Sequence, residues 1–280
     1  MRYLEPETVD EALDLLAEHG DGAKVLAGGQ SLLILMRERL VDVDALVGLK
    51  AIAPLREIEV NGGVRIGAMV THSSVERDAR IAERWPLLQA AEAAVSTLQV
   101  RNRGTLCGNV AHAFPTADPP AALVASEGVV HLASKTGGER TVAAEDFFVG
   151  VMQTEAGPEE LVTAVSVPPQ PEGARTAYVK YAIRPLDFAI VSVAVRLVLD
   201  GDGAIADARI GLAGAANHTL RATEAERVLV GESPSAELLE RAGQAAARQA
   251  EPLADVDGTP DYKRRVTGVF TARAIARALE

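Results

Sequence analysis

The chain has 280 residues, 48% of them hydrophobic, 24% charged and 4% aromatic, with a formal net charge of −11. A chain of that length buries about 75% of its unfolded surface, so it needs no disulfide or structural metal, and its core must be aliphatic. The acidic balance excludes a general nucleic-acid or acidic-membrane binder, because neutralising phosphates takes clustered Lys and Arg. The single cysteine, Cys107, excludes an internal disulfide and any iron–sulfur cluster or zinc site built from this chain's own thiolates.

Met1 to Pro6 lack the apolar core of a signal peptide, and the most apolar stretch, Phe188 to Leu199, is short and carries Arg196. The expectation is a cytoplasmic protein without a membrane span. Thr8 and Glu11 form a capping box ahead of a helical pattern that Gly20 closes. Lys24 to Ala27 predicts a buried strand, Gly28-Gly29 a sharp turn, and Ser31 the N-cap of a helix to about Leu40. Ala45 to Leu49 predicts a further strand. From Leu55 the period changes: Ile58 and Val60, then Asn61-Gly62-Gly63, then Val64, Ile66 and Ala68 spell a β-hairpin. Helical signals follow at Ser73–Arg80 and Pro86–Ala94, a Gly- and Pro-punctuated loop from Arg101 to Pro120, and strands at Val129–Ala133 and Leu161–Val167.

Pro168-Pro169-Gln170-Pro171-Glu172-Gly173 cannot continue a central strand and marks a domain boundary. Beyond it come three strand-like runs (174–181, 189–199, 204–212), then helices near 223–230, 235–251 and 261–279. Strands followed by helices predict a compact α+β module.

Three segments could carry chemistry. Ala27-Gly28-Gly29-Gln30-Ser31-Leu32 is a strand that ends in two glycines and feeds a helix. Such a bend is either a plain turn or a receptor that aims backbone N–H groups at a phosphate. It is neither a Walker loop nor a G-x-G-x-x-G fingerprint. In the second segment, Gly104 and Gly108 bracket Thr105 and Asn109, with Arg101 and Arg103 just upstream. In a chain this acidic, two glycine-opened loops sharing one dianion make more sense together than apart. Asp118, before Pro119, is either an exposed turn carboxylate or an acceptor for sugar-like hydroxyls. The third segment places Lys180, Arg184 and Asp187 at the head of a core strand, where a domain-edge cleft takes ligand contacts.

Cys107 and His112 have no partners in sequence to complete a metal site, and nothing places a general base beside the thiol. Asp200-Gly201-Asp202-Gly203 puts Ala204 where a third calcium ligand belongs, so it predicts a hairpin turn.

Taken in order, these segments resemble the FAD-binding medium subunit of the molybdenum hydroxylases, the group of aerobic carbon monoxide dehydrogenase and the flavin part of xanthine dehydrogenase. The A-G-G-x-S-L stretch of that family matches Ala27 to Leu32, and its T-[IL]-G-G-N loop matches Thr105 to Asn109. A-H-A-x-P-x-x-D matches Ala111 to Asp118, and K-x-x-x-R-x-x-D-[FY]-A matches Lys180 to Ala189.

The resemblance implies an α+β protein: a two-subdomain FAD-binding domain of the vanillyl-alcohol oxidase type at 1–170 (subdomains about 1–54 and 55–170), then an α+β domain at 171–280 with a three-stranded antiparallel sheet. It implies that Val25, Leu26, Ala27, Gly28, Gly29, Gln30, Ser31 and Leu32, with Thr105, Cys107, Gly108 and Asn109, hold FAD, the glycine bends cradling its pyrophosphate. Asp118 would bind the sugar or ribityl region, Leu161 and Lys180 would border the flavin, and Phe188 would supply a nearby ring. No residue of this chain would act as a catalytic acid, base or metal ligand.

The resemblance also implies partners: a small subunit with [2Fe–2S] clusters and a large molybdenum subunit, in a dimer of heterotrimers that passes electrons through FAD to an external acceptor. A stand-alone FAD-dependent oxidoreductase is the alternative, and a nucleotide-binding module without redox work a third. The chain departs from the family at two positions: Cys107 replaces the first glycine of G-G, and Phe114 stands where an acidic residue is common.

Overall fold

Thr8 opens helix α1 (Val9–His19) by accepting the Glu11 N–H at its Oγ1 (3.1 Å), while Glu11 reaches back to the Glu7 N–H (2.8 Å). Gly20, at φ 51°, closes it. In this computed structural model, which describes all 280 residues, α1 packs its Ala12, Leu13 and Leu16 face on a small parallel sheet. That sheet contains β1 (Arg2–Leu4), β2 (Ala23–Leu26) and β3 (Ala45–Gly48) in the order β1-β3-β2. Strand β1 has no apolar alternation to announce it. Helix α2 (Leu32–Arg37) stops short of the expected Leu40, because Arg39 turns left-handed at φ 58°.

The expected hairpin forms as β4 (Ile58–Asn61) and β5 (Gly63–Gly67) around Gly62 at φ 79°. The expected helix over 73–80 breaks into α3 (His72–Arg77) and α4 (Ala79–Arg84), since the Asp78 carboxylate accepts the Arg80 N–H (2.9 Å) and starts a new helix. Helix α5 (Pro86–Ala93) follows.

The segment 101–120 is not a loop. It holds the end of α6 (Leu98–Arg101), all of α7 (Leu106–His112) and the start of α8 (Asp118–Ala125). Thr97 and Thr105 cap α6 and α7. Pro119 and Pro120 sit in the first turn of α8, where a missing N–H costs nothing. Next come β6 (Val129–Ser134), β7 (Gly138–Ala143), α9 (Ala144–Phe147), the short pair β8 (Phe148–Gly150) and β9 (Gln153–Thr154), and β10 (Leu161–Val167). The sheet they complete is antiparallel, ordered β4-β5-β10-β6-β7. One core joins α1, the parallel sheet and this sheet, with Trp85, Phe147 and Leu161 among its buried side chains.

After Pro168–Gly173 a separate core forms. Strands β11 (Arg175–Tyr181), β12 (Val191–Leu199) and β13 (Ile205–Ala213) are antiparallel, and the expected three-stranded sheet gains a two-residue fourth strand, β14 (Leu220–Arg221). Helices α10 (Thr223–Leu229), α11 (Ala236–Gln249) and α12 (Pro260–Leu279) contribute most of its other buried residues. A second face of β12 and β13 is covered by α5 and α8 through a patch of alanines: Ala91, Ala121, Ala122, Ala125, Ala194 and Ala213. The approach is close enough that a Cβ on Gly211 would lie 2.0 Å from the Ala121 carbonyl oxygen. Helix α8, with Asp118 at its head, is thereby fixed to the second sheet.

Candidate functional site

Between the end of β2 and the start of α2 the chain makes a bend in which Gly29 takes φ 71°. None of the main-chain N–H groups from Gly28 through Ser31 donates to a main-chain carbonyl. Gln30 folds over the bend, its Nε2 donating to the Gly28 oxygen (3.3 Å). Ser31 occupies the N-cap position as expected, but its hydroxyl makes no capping bond. Val25, Leu26 and Leu32 are half-buried supports on either side.

The second bend lies against the first. A Cβ on Gly28 would sit 2.1 Å from the Arg103 carbonyl oxygen and 2.7 Å from the Gly104 Cα, and one on Gly108 would come 3.7 Å from the Ala27 Cβ. Thr105 caps α7 by accepting the Gly108 N–H at Oγ1 (3.0 Å). Cys107, where the resemblance led us to expect glycine, turns its side chain into the core and donates Sγ–H to the Ile66 oxygen (3.6 Å). Its backbone is ordinary α-helix, which admits a Cβ, and burial pushes the thiol up to about 12, far from thiolate chemistry. Asn109 Oδ1 is buried and has no partner. Arg101 is spent on Glu76 (2.8 Å) and on the Val95 and Ser96 carbonyls, so of the two upstream arginines only Arg103 is exposed.

From Asn109 the site opens into a cleft of about 420 Å³, lined on one side by Asn109, Ala117 and Asp118 and on the other by Lys180, Ile183, Leu186 and Phe188. Asp118 is buried rather than an exposed turn carboxylate. Its Oδ1 accepts from the Tyr178 hydroxyl (2.5 Å) and its Oδ2 from Lys180 Nζ (2.8 Å), which also donates to the Ala94 oxygen (3.0 Å). Burial pushes the Asp118 carboxyl up, against the pull of Lys180 and Tyr178. Burial and the neighbouring Asp118 charge raise Tyr178 well above the usual phenol range.

Phe188, 64% exposed, rests on Phe114 with ring centroids 4.9 Å apart, and Phe114 stacks on His112 at 6.0 Å. Phe114 thus backs the Phe188 ring at the cleft, at the position where the resemblance led us to expect an acid. Leu161 opens β10 opposite Ala133 with its side chain in the larger core, away from the cleft lining.

Residues 1–170 match the family model of the FAD binding domain in molybdopterin dehydrogenase, and residues 176–278 that of the CO dehydrogenase flavoprotein C-terminal domain. The chain belongs to the FAD-binding medium-subunit family of the molybdenum hydroxylases. Among its relatives in that family, the nicotine 6-hydroxylase medium subunit of Paenarthrobacter nicotinovorans is 35% identical over 279 residues, covering 99% of this chain and 97% of that protein. The carbon monoxide dehydrogenase medium chain of Afipia carboxidovorans is also 35% identical, covering 99% and 96%. In a solved structure of carbon monoxide dehydrogenase from Hydrogenophaga pseudoflava, a chain 36% identical superposes with a TM-score of 0.96, covering 100% of this chain and 97% of that one.

The residues of this medium subunit fit FAD. A diphosphate asks for several unspent donors at a place its oxygens can approach. The bend from Gly28 to Ser31 supplies free amides, and glycines clear the approach. No lysine lies in either bend, so the donors on offer there are mainly backbone amides. Tyr178 was not singled out from the sequence, although it sits two residues before Lys180 on one face of β11, a period-2 signal that could have found it. His72 and Glu92, described below, were also missed. Each looks like an ordinary polar residue of an amphipathic helix.

Proposed function

We propose that the two bends cradle the FAD diphosphate and that this chain passes electrons from [2Fe–2S] clusters of a small partner subunit to an external acceptor. The organic substrate is oxidised in a large molybdenum subunit, and the assembly is a dimer of heterotrimers in the cytoplasm. No helix of the chain is long and apolar enough to cross a membrane. When bound, FAD supplies a centre able to take electrons singly and release them in pairs.

The chain's own residues bind and orient. Amides from Gly28 to Ser31 hold the diphosphate, and the second bend, its Gly108 N–H taken by Thr105, closes against them. Asn109 and Asp118 meet the sugar and ribityl hydroxyls, the carboxylate retaining acceptor capacity beyond its two donors. Lys180 and Phe188 border the ring; Leu161 supports the site only from the core, and Cys107 only through the backbone of α7. The division we infer is a flavin domain at 1–170, in subdomains of about 1–54 and 55–170, and a C-terminal domain at 171–280. Separate hydrophobic cores before and after Pro168–Gly173 support it.

The observation that carries the reading is the row of unspent amides at Gly28–Ser31 in contact with Arg103–Gly104. Denaturing freshly prepared complex and identifying the released cofactor tests it: one FAD per chain is expected, together with co-purifying molybdenum and iron–sulfur subunits. Flavin-free complex would overturn the reading.

A further inference from the structure

His72 and Glu92 form a buried pair behind the second bend. Glu92, on α5, is 0% exposed and His72, at the start of α3, 3%. His72 Nδ1–H donates to Glu92 Oε2 at 2.5 Å, which fixes the plane of the ring and turns its far edge toward the bend. A Cβ on Gly104 would meet that edge, Cδ2 at 3.0 Å and Nε2 at 3.3 Å. The His72 main-chain N–H donates to the Gly104 oxygen (3.0 Å), and Thr71 bridges to Thr105. Gly104 is therefore held between the imidazole and Gly28 of the first bend.

Stability gives little reason for this pair. Taking a polar pair out of water costs about what its hydrogen bond returns, and an apolar pair of equal volume does as well or better. Glu92 Oε1 is moreover buried without a partner, a further cost.

We propose that His72, aimed by Glu92, is a positioning residue for FAD: it is the back wall that presses the Gly104 bend onto the Gly28 bend, so that the unspent amides of Gly28 to Ser31 are held facing the diphosphate. This rests on the two-bend reading above and adds the device that keeps the bends together. A cradle shifted by a fraction of an ångström loses donors, so the pair acts on cofactor affinity more than on folding.

The test is FAD titration of the flavin-depleted full chain, followed by quenching of flavin fluorescence, with the unfolding midpoint of each flavin-free variant measured alongside. His72→Ala raises the FAD Kd by about tenfold or more, in the range seen when a supporting shell is removed. Glu92→Gln, which keeps volume and fold, raises it several-fold. Gly104 is not at positive φ, and with the ring gone an alanine Cβ there has the Val100 carbonyl oxygen as its nearest contact, at 3.1 Å, which has to give by a few tenths of an ångström. His72→Ala/Gly104→Ala therefore refills the gap and recovers most of the affinity, which a general loss of stability would not do.

Parent-like Kd in both His72→Ala and Glu92→Gln overturns the proposal, as does a double variant no better than His72→Ala. Should His72→Ala fail to fold, Glu92→Gln decides alone. Gly28→Ala separates the two levels. If it retains FAD, the two-bend site is wrong; if it loses FAD while the His72 and Glu92 variants keep it, only the back wall is wrong.

Discussion

Lys180 reaches from β11 to within 2.8 Å of the Asp118 carboxylate at the head of α8, and neither side chain is more than 10% exposed. The pair joins the part of the chain that carries the bends to the sheet that follows Pro168–Gly173, at the floor of the cleft. Breaking it from one side leaves a charge buried alone.

Lys180→Met should cost about 3–5 kcal/mol at pH 7. Burial already raises the Asp118 carboxyl above its ordinary 3.8, and removing Lys180 raises it further. A raised carboxyl means that the folded chain holds the proton more tightly than the unfolded chain. The penalty is therefore absent below the unfolded value, grows with rising pH and is complete above the folded one. Urea unfolding at pH 7 and pH 5 should show the variant recovering stability, relative to the parent, on acidification. An equal deficit at both pH values would mean that Asp118 is not the group left stranded.

The two glycine bends should respond unequally to alanine. A Cβ on Gly28 runs into backbone at 2.1 Å, which cannot give, so Gly28→Ala separates the bends and abolishes FAD retention. On Gly108 the nearest atom is Thr105 Oγ1 at 2.8 Å, a side chain that can rotate away. Gly108→Ala then loses about one helix cap, roughly 1 kcal/mol, and keeps measurable FAD. Flavin content per chain after gel filtration reads both.

Cys107 should be silent toward iodoacetamide at pH 8 in the native protein and react fully in denaturant, because its thiol is 2% exposed and pushed up to about 12. Cys107→Gly, which restores the family's glycine, opens a small hole in the core and adds a helical glycine, costing about 1–2 kcal/mol. FAD stoichiometry should be unchanged, since the side chain faces Ile66 and not the bends. Lower FAD content at full stability would contradict that orientation.

Arg196 is buried and donates to Glu127 and Asp207, and Arg209 donates to Glu127 as well (2.9 Å). Burial opposes ionisation of Glu127, yet Arg196 and Arg209 hold its carboxyl below the usual value. A lowered carboxyl contributes stability above its unfolded value, and that contribution fades as pH falls through the folded one. Glu127 is 41% exposed, so Glu127→Gln should cost only about 1 kcal/mol at pH 7 in low salt. The difference from the parent should shrink as pH falls below 4.5, the ordinary Glu127 value, and thermal midpoints measured down through that range would show it.

Local patterns made much of the fold readable. The Thr8 capping box, the Asn61-Gly62-Gly63 hairpin and the three alternating strands after Pro171 each satisfy their own geometry with neighbours in sequence. Segment 101–120 did not, because its glycines and prolines signal a loop when counted. What makes it helical is where they fall: Pro119 and Pro120 in a first turn, Gly108 inside a helix packed on the first bend. The contact between the bends was suggested by two glycine-opened loops in an acidic chain and by the resemblance, but no spacing dictates that residues 28 and 104 touch. Asp118 meeting Tyr178 and Lys180 is likewise a product of α8 lying on the alanine-rich face of β12 and β13, which local sequence does not encode.

Because one wall of the cleft is built by residues 180–188 and the other by residues 109–118, neither half of the polypeptide owns a finished pocket. A fragment ending near Val167 would retain both glycine bends yet show water a bare Asp118 and an open trough. Transplanting the amino-terminal portion into another host would thus carry the anchor for a nucleotide without the enclosure for its ring. The connector at Pro168–Gly173 is a seam in the folding of this molecule but not in its chemistry.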